Sequence, residues 1–403
     1  MRKFSIGDNP TMKLAIDLVA PALPPQLDGI GDYCSYLAGS LSGRARLGII
    51  TVEGHEHTSI SDVDIKGVFT PGRRKSVDRI AEVVLADRPD WLVLQFNQFS
   101  YGRWGLNPFL PGVLRSIQKG SRVRIAVMFH EDFVPPTTWK FRIMRIWQKW
   151  QFKKLGLIAD VVFFSIDPWV KKYGGWFPGK PVVHLPVGAN LPRTAMSRAE
   201  ARERLGISDQ TLVIGLFGSS GGSRMLDRVK VAVETAKEND RDVMLLYMGA
   251  NGAVIRQLVS GIRVVAEGPL LADEVSRRLH AVDIYLAPFA DGVSTRRGSM
   301  MAGLQHGLAT VGTLGELTDD MLRKENGRSI LLADVSSAEE FAAQVRRLAG
   351  DAALRDQLGR AAQELYDRCF DWEPIATKML STLEAYDRDR SEPAAQVLAG
   401  SAI

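Results

Sequence analysis

APFADGVSTRRGSMMAGLQHGLATVGT, residues 287–313, is the most informative part of the sequence. It predicts the end of a buried strand (283–288), a loop with two glycines and two adjacent arginines, and a helix that begins near Ser299. The N–H groups and the positive dipole end of a helix start favour an anion. Guanidinium groups bind phosphate oxygens in pairs, so Arg296 and Arg297 indicate a di- or triphosphate site. An ordinary strand–loop–helix connection with solvated arginines is the alternative.

Short apolar segments alternate with helix-like segments along the rest of the chain, which is typical of parallel α/β sheets. In the first half, we predict strands at 13–20, 47–52, 91–95, 123–129, 161–165 and 181–185, with helices at 76–88 and 111–119. In the second half, we predict strands at 211–217, 242–248, 262–266, 283–288 and 308–311, with helices at 224–238, 252–259, 271–280 and 299–306. Helical patterns at 337–349 and 352–385 complete the chain. The expected fold is α/β with two Rossmann-like, doubly wound domains and a cleft between them.

The 403 residues are enough for two hydrophobic cores. Prolines and charges interrupt the alternation at 189–210, which we interpret as an inter-domain linker with a short helix. The predicted domains are therefore 1–195 and 196–385, followed by a tail at 386–403. The first eleven residues are expected to be a disordered lead-in.

Each half has a glycine turn after its first predicted strand. LDGIGDYCSYLAGSL carries Gly29 and Gly31 before a helix, and LFGSSGGSRMLDRVKVAV carries Gly218, Ser219 and Arg224. Neither turn matches the GxGxxG or GxxxxGK[ST] spacing, so dinucleotide and P-loop sites are weakly supported. Plain turn chemistry is the alternative for each turn taken alone. Two such turns facing each other across a cleft, with the arginine loop nearby, would form a phosphate site.

Charge and cysteine content narrow the function classes. Residues 1–195 hold 26 Lys and Arg against 16 Asp and Glu, whereas residues 196–403 hold 25 against 30. The first half is therefore expected to contact an anionic surface or ligand. No nucleic-acid recognition motif accompanies these cations, so we expect no nucleic-acid partner. Two cysteines exclude a disulfide framework, and we expect a cytoplasmic location.

Residues 139–154 hold six basic and no acidic residues, interleaved with five aromatic ones. Their tryptophans and isoleucines recur at helical spacing. Such a helix can lie in a membrane interface with its cations on anionic headgroups. The alternative is that the apolar stripe packs on the sheet and the cations are solvated.

These segments together resemble a GT-B-fold glycosyltransferase of the GT4-like, retaining, nucleotide-sugar-dependent group, in a divergent branch, over nearly the whole chain. LDGIGDYCSYLAGSL is similar to the glycine loop and first helix of that family's N-terminal domain, and LFGSSGGSR to its donor-phosphate loop. VMFHEDF is similar to the segment with a strand-end histidine, here His130. DIYLAPFADGVSTRRGSMMAGLQHGLATVGT is similar to the donor-site strand–loop–helix and is the most specific match.

The chain departs from the family pattern at charged positions. Ser294 and Ala302 stand where the family usually has two glutamates eight positions apart. In the phosphate loop, Ser219 and Arg224 stand where an arginine and a lysine are expected. The paired arginines of the later loop would supply the missing phosphate charge.

The resemblance implies a set of site residues. His130, Arg224 and Arg297 are expected to act in catalysis, with His130 beside the donor sugar and the arginines on the departing diphosphate. Donor binding is expected of a further set: Gly29, Gly31, Gly218, Ser219, Glu267, Ser294, Arg296 and Ser299. Without the resemblance, His130 would be a satisfied strand-end histidine and Glu267 a surface carboxylate rather than a residue that recognises the base. No cluster of metal-ligating residues occurs, so neither a metal nor another cofactor is expected.

The predicted function is transfer of a sugar, with retention, from a nucleotide sugar to a lipid-linked, lipid or polysaccharide acceptor at the membrane surface. The N-terminal domain would bind the acceptor and the C-terminal domain the nucleotide sugar. Residues 139–154 would attach the protein peripherally to the inner face of the membrane. The alternatives are another GT-B enzyme, such as a nucleotide-sugar epimerase, and a non-catalytic sugar-nucleotide-binding protein, which the absent glutamates would suit.

Overall fold

The computed structural model describes residues 13–26 and 28–400, with only the backbone described at 239 and 391–400. The expected disordered lead-in lies outside these residues. The described residues form two compact units. Unit 1 contains the residues up to Phe163 together with Trp176–Val182, and unit 2 contains Phe164–Gly175 and the residues from Val183 onward.

A seven-stranded sheet begins the fold, with strands β1 (Ala15–Val19), β2 (Arg46–Val52), β3 (Val63–Phe69), β4 (Trp91–Phe96), β5 (Arg124–Phe129), β6 (Val161–Phe164) and β7 (Val182–His184). The helices that alternate with these strands along the chain are α1 (Gly29–Leu41), α2 (Arg74–Asp87), α3 (Leu110–Gly120), α4 (Trp139–Ile158) and α5 (Asp167–Tyr173), of which α5 belongs to unit 2. The strand order is β3-β2-β1-β4-β5-β6-β7, and β1 pairs in parallel with both β2 and β4. The order reverses at β1, which is the doubly wound arrangement.

Unit 2 contains a second sheet, with strands β8 (Leu212–Phe217), β9 (Val243–Met248), β10 (Arg263–Val265), β11 (Ile284–Ala287), β12 (Thr310–Leu314) and β13 (Leu331–Asp334). Its helices are α6 (Arg198–Leu205), α7 (Leu226–Ala236), α8 (Gly252–Leu258), α9 (Ala272–Leu279), α10 (Gly298–Gln305), α11 (Asp320–Lys324), α12 (Ala338–Gly350), α13 (Ala352–Cys369) and α14 (Trp372–Gly400). The order β10-β9-β8-β11-β12-β13 repeats the first sheet's reversal. Alternate residues of β8, β9 and β11 enter two separate hydrophobic clusters, so both faces of this sheet are covered.

The predicted fold class is confirmed, and the differences concern individual elements. The short helix predicted in the 189–210 segment is α6, and the backbone before it belongs to unit 2 and is hydrogen-bonded within it. Trp372 Nε1 donates to the carbonyl of Ala189 (3.0 Å), and the N–H of Thr194 donates to Ser276 Oγ (3.1 Å). The long helical pattern at 352–385 divides into α13 and α14 at Phe370, and α14 continues through the predicted tail to Gly400.

Candidate functional site

Two loops of unit 2 meet because the strands before them are neighbours. β8 and β11 pair in parallel, so the loops at their carboxyl ends lie side by side. Arg224 and Phe289 form a short antiparallel bridge between these loops, and the N–H of Met225 donates to the carbonyl of Pro288 (3.0 Å). The bridge brings the glycine turn after β8 against the arginine loop after β11.

Arg224 is buried in this site, with 9% of its surface exposed. Its Nη2 donates to the carbonyl of Phe217 (2.7 Å), and its guanidinium lies 4.4 Å from the ring centre of Phe289. Its Nη1 is buried and has no hydrogen-bond partner among the described residues. Burial lowers the pKa of Arg224 to about 10, so it stays charged at neutral pH. A buried cationic donor without a partner is suited to an anion.

The paired arginines are held by a carboxylate that the sequence interpretation missed. Arg297 Nη2 donates to Asp291 Oδ2 (2.8 Å) and to Ser223 Oγ (2.7 Å). Arg296 Nη2 donates to the same carboxylate, and its guanidinium lies 5.1 Å from the ring centre of Trp169. Asp291 therefore orients both guanidinium groups and neutralises part of their charge.

A cavity of about 390 Å³ lies between the loops. It is lined by Ser219, Gly221, Gly222, Ser223, Arg224, Phe289, Arg296, Arg297, Gly298 and Ser299. Five predicted site residues are thus brought together. Gly218 lies beside them with φ of +99°, and a Cβ there would be 3.3 Å from the Cβ of Ser299. The first turn of α10 meets the cavity at Gly298, and none of the described side chains caps this helix start.

Two predicted donor residues lie away from the cavity lining. Ser294 is fully buried in the loop. Glu267 is half exposed, and its carboxylate lies 2.6 Å from Arg278 Nη2. Their predicted roles in donor binding stay predictions.

The predicted site residues of unit 1 lie in two places: Gly29 and Gly31 at the start of α1, and His130 after the end of β5. Asp28 Oδ1 accepts hydrogen bonds from the N–H groups of Ile30 (3.0 Å) and Gly31 (2.8 Å), so a carboxylate already caps the helix that begins at Gly29. A Cβ at Gly31 would be 2.8 Å from the carbonyl oxygen of Ala22, which explains the glycine by close packing. Capping by Asp28 and close packing at Gly31 explain the local structure of this turn, and the predicted roles of Gly29 and Gly31 in donor binding stay predictions.

His130 is buried at the end of β5. Its Nε2 lies 2.9 Å from Gln95 Oε1, and its ring meets Tyr33 edge-on with 4.7 Å between ring centres. The amide oxygen is an acceptor, so Nε2 carries the hydrogen when Gln95 is oriented this way. Burial lowers the pKa of His130 to about 3, and the imidazole is therefore neutral at physiological pH. A neutral imidazole can hydrogen-bond a sugar hydroxyl but carries no positive charge.

The buried carboxylate of Asp319 binds the backbone of the arginine loop. Asp319 accepts hydrogen bonds from the N–H groups of Thr295 (2.7 Å) and Asp167 (2.8 Å), and from the Thr295 hydroxyl (3.0 Å). Burial raises the pKa of Asp319 to about 7. Thr295 directly precedes the paired arginines, so Asp319 determines the backbone position from which they extend.

The raised pKa of Asp319 predicts a pH-dependent stability. The folded state binds a proton at this site between about pH 4 and pH 7, where the unfolded chain has lost it, so this contribution to stability falls as pH rises through 7. Relative to Asp319→Asn, we expect wild type to lose about 2 kcal/mol of unfolding free energy between pH 5 and pH 8. Urea unfolding at both pH values measures it. A constant difference would show that Asp319 titrates normally.

No family model matches the chain. It is similar to D-inositol 3-phosphate glycosyltransferase of Nocardioides sp., with 25% identity over 329 residues that cover 75% of this chain and 66% of that protein. It is also similar to sulfoquinovosyl transferase SQD2 of Arabidopsis thaliana, with 23% identity over 189 residues, 47% of this chain and 36% of that protein. The chain thus spans between about a third and two thirds of these curated relatives.

Solved structures match over nearly the whole chain. Sucrose-phosphate synthase from Thermosynechococcus elongatus superposes with a TM-score of 0.69 and 13% identity, covering 96% of this chain and 100% of that one. Anabaena HepE, solved in complex with UDP and glucose, superposes with a TM-score of 0.64 and 14% identity. The match covers 92% of this chain and 100% of that one. The chain has the GT-B fold. The resemblance to GT-B glycosyltransferases is confirmed, and the cleft expected between the two halves stays a prediction.

The tryptophans and isoleucines that form the predicted apolar stripe of α4 are exposed or only partly buried. Trp139, Ile146 and Trp150 are 68%, 72% and 43% exposed, whereas Gln148, Phe152 and other residues of the opposite face are buried. The alternative that the stripe packs on the sheet is therefore wrong. Trp147 is half buried, and its Nε1 donates to the carbonyl of Trp104 (3.2 Å), a residue whose own side chain is 64% exposed. This hydrogen bond joins α4 to the 99–106 loop. We call the partly or largely exposed apolar residues of both segments the aromatic face: Phe99, Trp104, Leu106, Trp139, Ile143, Ile146, Trp147 and Trp150.

Within residues 13–26 and 28–400, no helix is long and apolar enough to cross a membrane. The same residues contain no group of three or more His, Cys, Asp or Glu side chains arranged to hold a metal ion. The expectation of a metal-independent site stays a prediction.

Proposed function

We propose that this GT-B chain is a retaining glycosyltransferase whose donor is a nucleoside-diphosphate sugar and whose acceptor is a lipid-linked, lipid or polysaccharide molecule at a membrane surface. The observation that carries the proposal is the buried, unpartnered Nη1 of Arg224 beside two further guanidinium groups. Both curated relatives are named as sugar transferases, and HepE binds UDP and glucose, which supports a nucleotide-sugar donor.

The cavity suits electrostatic catalysis. When the bond between the sugar C1 and the β-phosphate oxygen breaks, its electron pair stays on the phosphate, and guanidinium groups already in place stabilise this charge. Arg224, Arg296 and Arg297 would provide the cations, and the start of α10 would add its dipole. Because three cations line the cavity, the proposal includes no metal.

His130 would orient a hydroxyl of the reacting sugar. Its neutral state and its bond to Gln95 leave it as a hydrogen-bonding group rather than a general acid. We therefore expect no ionisation of His130 in the pH dependence of the reaction between about pH 5 and pH 8.

A ligand comparison tests the diphosphate assignment. Arg297→Ala removes a guanidinium from the cavity, so we expect nucleoside-diphosphate binding to weaken about tenfold or more and nucleoside binding to change little. Calorimetry with UDP and uridine measures both, with the guanine, adenine and thymine pairs run in parallel. Arg328→Ala, at an exposed arginine outside the cavity lining, is the matched control. Equal losses for diphosphate and nucleoside would contradict the assignment.

The aromatic face is proposed to bind an anionic bilayer. Its exposed tryptophans suit the interface, and Lys140, Arg142 and the other cations of α4 suit lipid headgroups, each contributing about 1 kcal/mol near an anionic surface. This surface would place a lipid-linked acceptor beside unit 1.

Vesicle co-sedimentation tests the aromatic face. The variant combines Trp139→Ser, Ile146→Ser and Trp150→Ser, all at exposed positions, so the fold should be kept. We expect wild type, and not this variant, to sediment with phosphatidylglycerol vesicles at low salt. Val254→Ser with Leu271→Ser, at exposed apolar positions of unit 2, is the control and should behave as wild type. If wild type and variant sediment equally, or neither sediments, a soluble acceptor becomes the better hypothesis.

A further inference from the structure

A carboxylate of the same loop, Asp291, pairs with both Arg296 and Arg297. Asp291 lies against both Arg296 and Arg297, with Oδ1 and Oδ2 at 3.0 and 2.8 Å from Arg297 Nη2. Among the described residues, the charged groups that line the cavity are three guanidiniums, and this carboxylate pairs with two of them. The local charge is therefore +2 rather than +3.

The donor and product of a sugar transfer differ in charge. The diphosphate of a nucleotide sugar is esterified at both ends and carries two negative charges at neutral pH. Transfer breaks the C1–oxygen bond with its electron pair on the β-phosphate, the acceptor oxygen bonds to C1, and the acceptor proton leaves. The product's terminal phosphate then ionises a second time with a pKa of about 6, so the nucleoside diphosphate approaches −3.

We propose that Asp291 determines specificity by offsetting one arginine charge, so that the cavity matches the doubly charged donor better than the more highly charged product. This inference rests on the proposed function. Asp291 is a partly buried neighbour of the arginines, with 23% of its side chain exposed, so solvent screens its charge incompletely. Without it, the third cation would hold the extra charge of the product and slow its release.

Binding measurements on charge variants test the proposal. The measured quantity is the ratio of the Kd for UDP-glucose to the Kd for UDP. The corresponding pairs of nucleotide sugar and diphosphate with GDP, ADP and dTDP are measured in parallel on wild type. The pair that wild type binds is then used for every variant. Asp291→Asn should favour the diphosphate over its sugar ester by about tenfold, because the cavity becomes +3. Asp291→Glu should keep the wild-type ratio.

A second variant guards against loss of the loop structure. Arg296→Gln lowers the cavity charge to +1 and should shift the ratio in the opposite direction, while Asp291 still pairs with Arg297. Ser223→Ala removes a hydrogen bond to Arg297 without changing charge and should weaken both ligands alike. If Asp291→Asn and Arg296→Gln change both Kd values by the same factor, Asp291 only fixes the loop. Failure of wild type to bind any of the four pairs would contradict the proposed function itself.

Discussion

Arg224→Met is expected to reduce kcat/KM with the nucleotide sugar by two to three orders of magnitude, or about 3–4 kcal/mol of transition-state stabilisation. Methionine can fill the space on the ring of Phe289, 4.4 Å from the present guanidinium, but it donates no hydrogen bond. The lost Nη1 is the buried donor that we assign to the diphosphate. Initial rates of donor hydrolysis, or of transfer once the acceptor is found, measure the effect.

The control for this substitution separates charge from folding. Arg224 Nη2 also bonds the carbonyl of Phe217, so thermal unfolding of the variant must be recorded beside its rates. Arg328→Met removes an exposed arginine and should leave the rates unchanged. A folded Arg224→Met protein with wild-type kcat/KM would exclude this cavity as the place of chemistry.

Arg202→Met is expected to destabilise the fold by about 3 kcal/mol, because it removes the buried one of the two arginines that pair with the buried carboxylate of Asp283. Arg202 is 1% exposed, and its Nη2 lies 2.5 Å from Asp283 Oδ2 and 3.0 Å from the carbonyl of Thr211. Asp283 would keep Arg198, whose side chain is half exposed. Denaturant unfolding monitored by circular dichroism measures the loss.

A double variant shows whether the charge is the cause. Arg202→Met with Asp283→Asn removes both ions and should recover part of the lost stability, since the carboxylate that lost its buried partner is no longer charged. Arg346→Met breaks the exposed pair with Glu238 and should change stability too little to measure. A double variant as unstable as the sum of its single substitutions would show that packing, rather than the loss of the buried ion pair, determines the destabilisation.

The sheets could be predicted because their central strands leave a strong sequence signal. WLVLQF of β4 and LVIGLF of β8 are apolar runs of strand length, as expected where both faces are covered. β3 was missed because its sequence, VDIKGVF, belongs to an edge strand with charged side chains. The divide between α13 and α14 was missed because Phe370 and Asp371 carry no strong turn signal.

The arginine cluster could be predicted for a topological reason. The doubly wound order makes β8 and β11 neighbours, so the loops after them must meet. The pairing of Asp291 with Arg296 and Arg297 could not be predicted from sequence spacing, because it depends on the side-chain conformations of the two arginines. The cap on α1 did have a signal: Asp28 stands directly before the helix, in a position where aspartate commonly binds the first N–H groups.

The most direct test of the nucleotide-sugar assignment is a crystal structure of the chain with a bound nucleoside diphosphate, with UDP as the first probe. The account predicts a phosphate oxygen about 2.7–2.9 Å from Arg224 Nη1, with further phosphate oxygens on the guanidinium of Arg296 or Arg297. A nucleotide bound elsewhere, or one whose phosphates make no contact with Arg224, would contradict it.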